Sequence, residues 1–259
     1  MKELLIQNFK EYLKQEKVLS FEGWENVEIY IEETLSKAWI AARPYDIDKF
    51  NDEKFTSFVN SHNGKWLEPR SCDESYKIIL SCENREFDDI LMTFVHELQH
   101  CMSFMKSLDK YNEDYLQGTP TDAFFNWSEF KAEYAATRYS YFKMQKDFKF
   151  DDFQALTMIL GYKTADALHG MIRRDNKMYF LARYMGAQMA IRDLSEEFKI
   201  YSSVFQLWKM TPVYIEEHIG ISFYLANHWD KIDEHTLFGE DTEYSSLFKR
   251  MCEKRKNNN

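Results

Sequence analysis

Two histidines and a glutamate pose the first question. Residues 96–100 read His96-Glu97-Leu98-Gln99-His100, an H-E-x-x-H pattern. An α-helix turns about 100° per residue, so side chains four apart lie nearly above one another. Two imidazoles in that relation can share one metal ion. Glu97 stands next to them, placed to move a proton rather than to bind. Zinc that does chemistry takes three protein ligands and keeps one position open. The motif supplies two ligands, so a third must come from elsewhere in the chain.

A five-residue motif also occurs on solvated surface helices, so its surroundings decide how it is read. Phe87, Ile90, Leu91, Phe94, Leu98, Cys101, Met102 and Met105 recur at helical spacing and form one apolar stripe. Asp88 and Asp89 precede them, where negative charge suits a helix N-terminus. The pattern predicts a helix from about Glu86 to Lys106. Opposite the stripe lies a second line: Thr93, His96, His100 and Ser103.

A second helix is predicted over Asn126-Trp127-Ser128-Glu129-Phe130-Lys131-Ala132-Glu133-Tyr134-Ala135-Ala136. Glu129, Ala132, Glu133 and Ala136 share one face of it. Alanines let two helices approach closely, and acids buried on such a face need a cationic partner. A zinc ion held by His96 and His100 is one such partner. Glu129 is then the candidate third ligand, and Glu133 a candidate acceptor for the far ring nitrogen of a ligating histidine. Each has a plainer reading. Asn126 and Glu129 also fit a capping box, and Glu133 can be a solvated surface acid.

H-E-L-Q-H followed by E-F-K-A-E-Y-A-A resembles the gluzincin zinc metallopeptidases, closest to their compact HtpX-type and ImmA/IrrE-type forms. In those, the ligand glutamate opens an E-x-x-A-[DN] segment. The resemblance puts Glu129 on the ligand, while Glu133 stands where that pattern has Asp or Asn. It covers about Ser75 to Tyr141. It implies a zincin-like core: a small sheet with an edge strand, the H-E-x-x-H helix and a Glu-bearing helix. In such a core the edge strand just before the metal helix pairs with the substrate backbone, which points to Tyr76–Ser81 in this chain. HtpX-type enzymes carry membrane spans and many ImmA-type chains carry a helix-turn-helix domain. Neither pattern is present in this sequence.

The rest of the chain must position these residues. It has 259 residues with only 8 Gly and 4 Pro, which favours helices over turn-rich β architecture. The expected class is α+β, mostly α, in one domain: a core over about 65–145 and a helical C-terminal subdomain over about 151–259, with a weak boundary near Lys146–Asp152. Helices are expected over about 2–16, Glu22–Ala42, 152–160, 164–174, 177–197, 202–209 and 212–230. Short strands are expected at Lys65–Arg70 and Tyr76–Ser81, with a turn at Ser61–Gly64 that contains His62. A loop over Lys110–Asp122, with Glu113, Asp114 and a turn at Gly118–Thr121, joins the two ligand helices.

A net charge of −10 argues against a nucleic-acid surface, which needs a basic patch. Cys72, Cys82, Cys101 and Cys252 do not make a disulfide framework, and Cys101 falls on the apolar stripe as a small core residue. Charges break every apolar run near Met1, unlike a signal peptide. No uncharged run approaches the roughly 20 residues that span a bilayer. The expectation is a soluble cytoplasmic protein without a nucleic-acid or membrane partner.

The expected activity is hydrolysis of peptide bonds in a protein or peptide substrate, with Zn2+ as cofactor and Glu97 as general base. The oxyanion that forms often needs a further donor. His169, His218, His228, His235, Tyr139 and Tyr162 are candidates, with His169 ranked first. Two other readings stand beside this one. One is a non-catalytic zinc-binding interaction module that keeps the fold; the other is hydrolysis of a non-peptide amide.

Overall fold

The computed structural model describes residues 1–70, 74–111, 122–173 and 177–197. The architecture is α+β and mostly helical. Its contacts divide the chain into two compact units, Met1–Met102 and Ser103–Asn259.

The first unit runs α1 (Lys2–Gln15), β1 (Glu28–Glu32), α2 (Leu35–Ala42), a 3-10 segment (Pro44–Asn51), α3 (Glu53–Asn60), β2 (Gly64–Leu67), β3 (Lys77–Ser81) and the first part of α4 (Phe87–Tyr111). The strands form one sheet in the order β1-β3-β2, with β1 parallel and β2 antiparallel to β3. Ile78, Ile79 and Leu80 are all fully buried. A strand covered on both faces reads as an unbroken apolar run, and β3 has one because it is the middle strand. This corrects the expectation that Tyr76–Ser81 forms the sheet edge. Among the described residues the edges are β1 and β2.

The helix expected over Glu22–Ala42 is also corrected. Its first half contains β1, and helix begins only at Leu35. Val27 and Ile29 are buried while Glu28 is exposed, an alternation with the period of a strand. Thr34 then caps α2, its Oγ1 accepting from the Lys37 N–H. On one side of the sheet, Leu35, Ala38, Ala42, Val59, Leu67 and Ile79 form a core cluster. Elsewhere in the unit, Phe9 of α1 packs edge-on against Phe94 of α4 and Trp24, both at 5.1 Å.

In the second unit, α5 (Asp122–Phe148), α6 (Asp152–Arg173) and α7 (Lys177–Glu197) pack as three helices. Tyr141 donates to Asp152 at 2.6 Å near the α5–α6 turn, and Lys163 reaches Glu133 farther along, so the two helices are antiparallel. Tyr141, Ala155, Leu156, Ile159, Leu160, Ile191 and Leu194 form the shared core. The stretches 152–160 and 164–174, expected as two helices, are one helix that runs through Gly161. Glycine costs a helix interior about 1 kcal/mol, and buried Ile159, Leu160 and Lys163 on either side of it hold the turn in place. The expected helices over 202–209 and 212–230, Glu113, Asp114, Gly118–Thr121, Cys72 and Cys252 lie outside the described residues.

Ion pairs fasten the connection between β2 and β3. Buried Asp46 takes both oxygens to Arg70 and accepts from the Trp39 indole. Glu74 accepts from the Arg70 backbone N–H at 2.7 Å, from Arg43 at 2.8 Å and from Lys77 at 3.0 Å. Burial pushes the Glu74 carboxyl up, but these donors outweigh it and hold it at about 2 against an ordinary 4.5. The unfolded chain therefore binds the proton more readily. Stability from Glu74 is complete above about pH 4.5 and is lost as pH falls toward 2. The expected loss is on the order of 2–3 kcal/mol. Denaturant unfolding at pH 5 and pH 2.5 should show a smaller pH dependence for Glu74→Gln than for wild type.

Candidate metal centre

Helix α4 opens with Asp88 and Asp89 in its first turn. Ile90, Leu91, Phe94, Val95, Leu98, Cys101, Met102 and Phe104 are buried along one side, which fixes the rotation of the helix about its axis. Thr93, His96 and Glu97 are half-buried, and His100 is buried at 6 % exposure. Burial pushes the Cys101 thiol up to about 12, so Cys101 is a packed apolar group and not a thiolate ligand.

The two imidazoles face each other. Their Nε2 atoms are 3.1 Å apart and their rings are inclined at 77°. Nitrogens held at 2.0–2.1 Å around a tetrahedral zinc stand about 3.3 Å apart, so the pair needs little adjustment to receive one.

Glu129 lies well inside α5. The helix starts at Asp122, four residues before Asn126, so Asn126 is not an N-cap and the capping-box reading of Glu129 falls away. Among the described residues one group has metal-ligand geometry: His96, His100 and Glu129, whose ligand atoms all lie within 4.8 Å of one another. Two imidazoles and one carboxylate make a donor set that catalytic zinc uses, with a fourth corner left for water or substrate. The residues present thus fit a zinc ion.

Glu133, one turn beyond Glu129, is 2 % exposed. One of its oxygens meets the Lys163 ammonium from α6, and the other accepts from Arg183 Nε of α7 at 2.8 Å. It is therefore not a solvated acid. Two of its partners are thus a lysine and an arginine from neighbouring helices. Burial works against the Arg183 charge, but Glu133 above all, with Tyr179 and Glu129, outweighs it and raises the guanidinium above its ordinary value. The close fit of α7 on α5 has a specific cause. A Cβ on Gly186 would lie 2.2 Å from the Phe130 carbonyl oxygen, so only glycine permits this crossing.

Glu97 is held by the sheet. Its Oε2 accepts the Trp66 backbone N–H of β2 at 2.9 Å. Gly64 lets β2 pass this close to α4, because a Cβ there would meet Thr93 Cγ2 at 2.5 Å and Glu97 Cγ at 3.2 Å. Sequence reasoning missed Trp66, Lys163 and Arg183. Only the short strand predicted near Lys65 hinted at the first.

The oxyanion donor is not assigned. Tyr139 is buried and Tyr162 is 69 % exposed on α6. His169 lies in α6, but its side chain is outside the described residues, as are His218, His228 and His235. His62 bonds the Phe58 carbonyl through Nδ1 in the turn before β2, a local structural role.

Set against known protein families, characterised proteins and solved structures, the chain matches none. No helix among the described residues is long and apolar enough to cross a membrane.

Replacing Glu133 leaves buried Lys163 and half-buried Arg183 without their shared anion. Glu133→Ala should destabilise the protein by about 3–5 kcal/mol, read as a lowered urea midpoint. Gly186→Ala sets a methyl against backbone that cannot yield locally. It should cost at least the 1–3 kcal/mol typical of overpacking, read in the same assay.

Proposed function

We propose that this protein is a zinc-dependent metallopeptidase of gluzincin type, with a zincin-like core formed by the sheet, α4 and α5. The observation that carries the reading is the grouping of His96, His100 and Glu129 ligand atoms within 4.8 Å. That grouping unites a helix-borne imidazole pair with a carboxylate from a separate helix.

His96, His100 and Glu129 hold the ion. Zinc, when bound, lowers the pKa of a water toward neutrality and polarises a substrate carbonyl. Glu97 takes the proton of the attacking water and passes one to the leaving amine, which splits the peptide bond. Glu133, fastened between Lys163 and Arg183, fixes the turn of α5 that presents Glu129. The substrate is a protein or peptide. The free thiols Cys82 and Cys101 suit a reducing compartment, and we assign the protein to the cytoplasm.

A second reading has one observation in its favour. Glu97 is engaged by the Trp66 N–H, as a purely structural tie would be. In that case the zinc site serves a non-catalytic interaction module.

One experiment separates the two. Purified protein should carry about one zinc per chain, and Glu97→Gln should keep that metal. Turnover of a fluorogenic peptide library should fall by about 10²–10⁴-fold in the variant, the usual contribution of a general base. A variant that keeps its zinc and full turnover rules out Glu97 as the general base, and one that sheds its zinc shows that Glu97 helps to hold the metal site. Wild-type protein that binds zinc yet cleaves nothing supports the interaction module.

A further inference from the structure

The antiparallel pairing of β2 with β3 fixes which way each backbone group of β2 points. The Ser81 N–H donates to the Asn63 carbonyl at 3.0 Å, and the register sets Gly64 opposite Leu80 and Trp66 opposite Ile78. Residues that exchange ladder bonds alternate with residues that do not. Asn63, Lys65 and Leu67 therefore face β3 with their backbone groups, whereas Gly64 and Trp66 turn theirs outward, away from the ladder. The outward N–H of Trp66 is the one that meets Glu97 Oε2, at 2.9 Å.

A glutamate side chain has three rotatable bonds and, on a helix surface, samples several rotamers. A general base needs one carboxylate oxygen in a fixed place. Gly64 brings β2 to within 3.2 Å, measured from its ideal Cβ, of the Glu97 methylenes, which narrows the space open to that side chain. A backbone N–H in a strand anchored to a fully buried neighbour cannot swing. It makes a charge-assisted bond to one oxygen and so fixes the plane of the carboxylate.

We infer that Trp66, through its backbone N–H and not its indole, is the positioning residue for Glu97. The inference rests on the peptidase reading above and adds to it a residue that no side-chain motif marks. The bond orients the carboxylate before any substrate arrives.

Proline tests this directly. At an edge-strand position whose N–H lies outside the ladder, proline removes the donor and leaves the pairing with β3 intact. Trp66→Ala loses the indole and keeps the N–H, so it sets the baseline. Trp66→Pro should hold about one zinc per chain, as Trp66→Ala does. Its kcat on the peptide library should lie at least about tenfold below that of Trp66→Ala with KM little changed, the scale of a lost charge-assisted bond. Equal kcat values in the two variants overturn the inference.

A second measurement needs neither turnover nor the proline variant. In metal-free wild-type protein the Trp66 amide should exchange with deuterium at least about tenfold more slowly than in Glu97→Ala, while the ladder amides of Lys65 and Leu67 stay unchanged. A Trp66 amide that exchanges equally fast in both proteins overturns the inference, whatever the proline variant does. If wild type cleaves no peptide while the Trp66 amide is protected, the peptidase reading fails and the bond to Glu97 stands as a structural tie.

Discussion

Two ring nitrogens stand 3.1 Å apart on successive turns of one helix, within reach of one proton or one cation. Neutral imidazoles at that distance can share a single proton. Two protonated rings would repel, and two bare lone pairs would face each other. A cation between them satisfies both at once. Helix α4 holds the rings there because its other side is locked: eight side chains between Ile90 and Phe104 are buried, and Phe9 closes edge-on over Phe94. Rotation that moved the histidines would expose that whole stripe. At roughly 1.5–3 kcal/mol per large apolar side chain, this is many times any gain a surface histidine pair could offer. The geometry of the pair is thus imposed by the core behind it.

The glutamate between the histidines is fixed by different means. Its partner is backbone, and the contact exists because residue 64 has no side chain. With any Cβ at that position β2 would ride higher on α4, and the reach from Trp66 to Glu97 would lengthen. The sheet is small, but its central strand is buried on both faces, so its edge is a firm support. Sheet and helix constrain Glu97 together, one through a hydrogen bond and the other through the α4 backbone.

How much of this the sequence revealed follows from what periodicity can report. The extent of α4 was legible, since apolar spacing and two early acids mark it over most of its length. The α7 range, Lys177–Glu197, coincides with the expected 177–197, although no acid marks its first turn. β1 was not, because Val27, Ile29 and Ile31 make too short an alternation to stand out between Trp24 and the apolar start of α2. The place of β3 in the sheet was not, because a run such as Ile78-Ile79-Leu80 says that both faces are covered only once its neighbours are known. The acids on α5 announced that cations were needed, and the sequence could not say which. Lys163 and Arg183 come from two other helices, and nothing local marks either as a partner of Glu133. The short strand expected at Lys65–Arg70 hinted at Trp66, but no residue type singles out its donor, as nearly every residue carries an N–H.

The buried ion cluster on α5 bears on function through an energetic comparison. A buried charged group set is seldom the most stable filling for a helix interface, and apolar side chains of similar volume often do as well or better. In this protein Glu133 holds Lys163 and Arg183 at once, and α5 and α7 touch backbone to side-chain-free backbone at Gly186. Apolar packing alone would tolerate small slides of one helix along another. Two charge-assisted bonds to one carboxylate do not, since a shift of about 1 Å breaks their geometry and strands a charge. What the cluster adds is register. Glu129 lies one turn from Glu133 on the same face of α5, and Arg183 feels both carboxylates. A helix that presents one carboxylate at a fixed point would gain from such an arrangement.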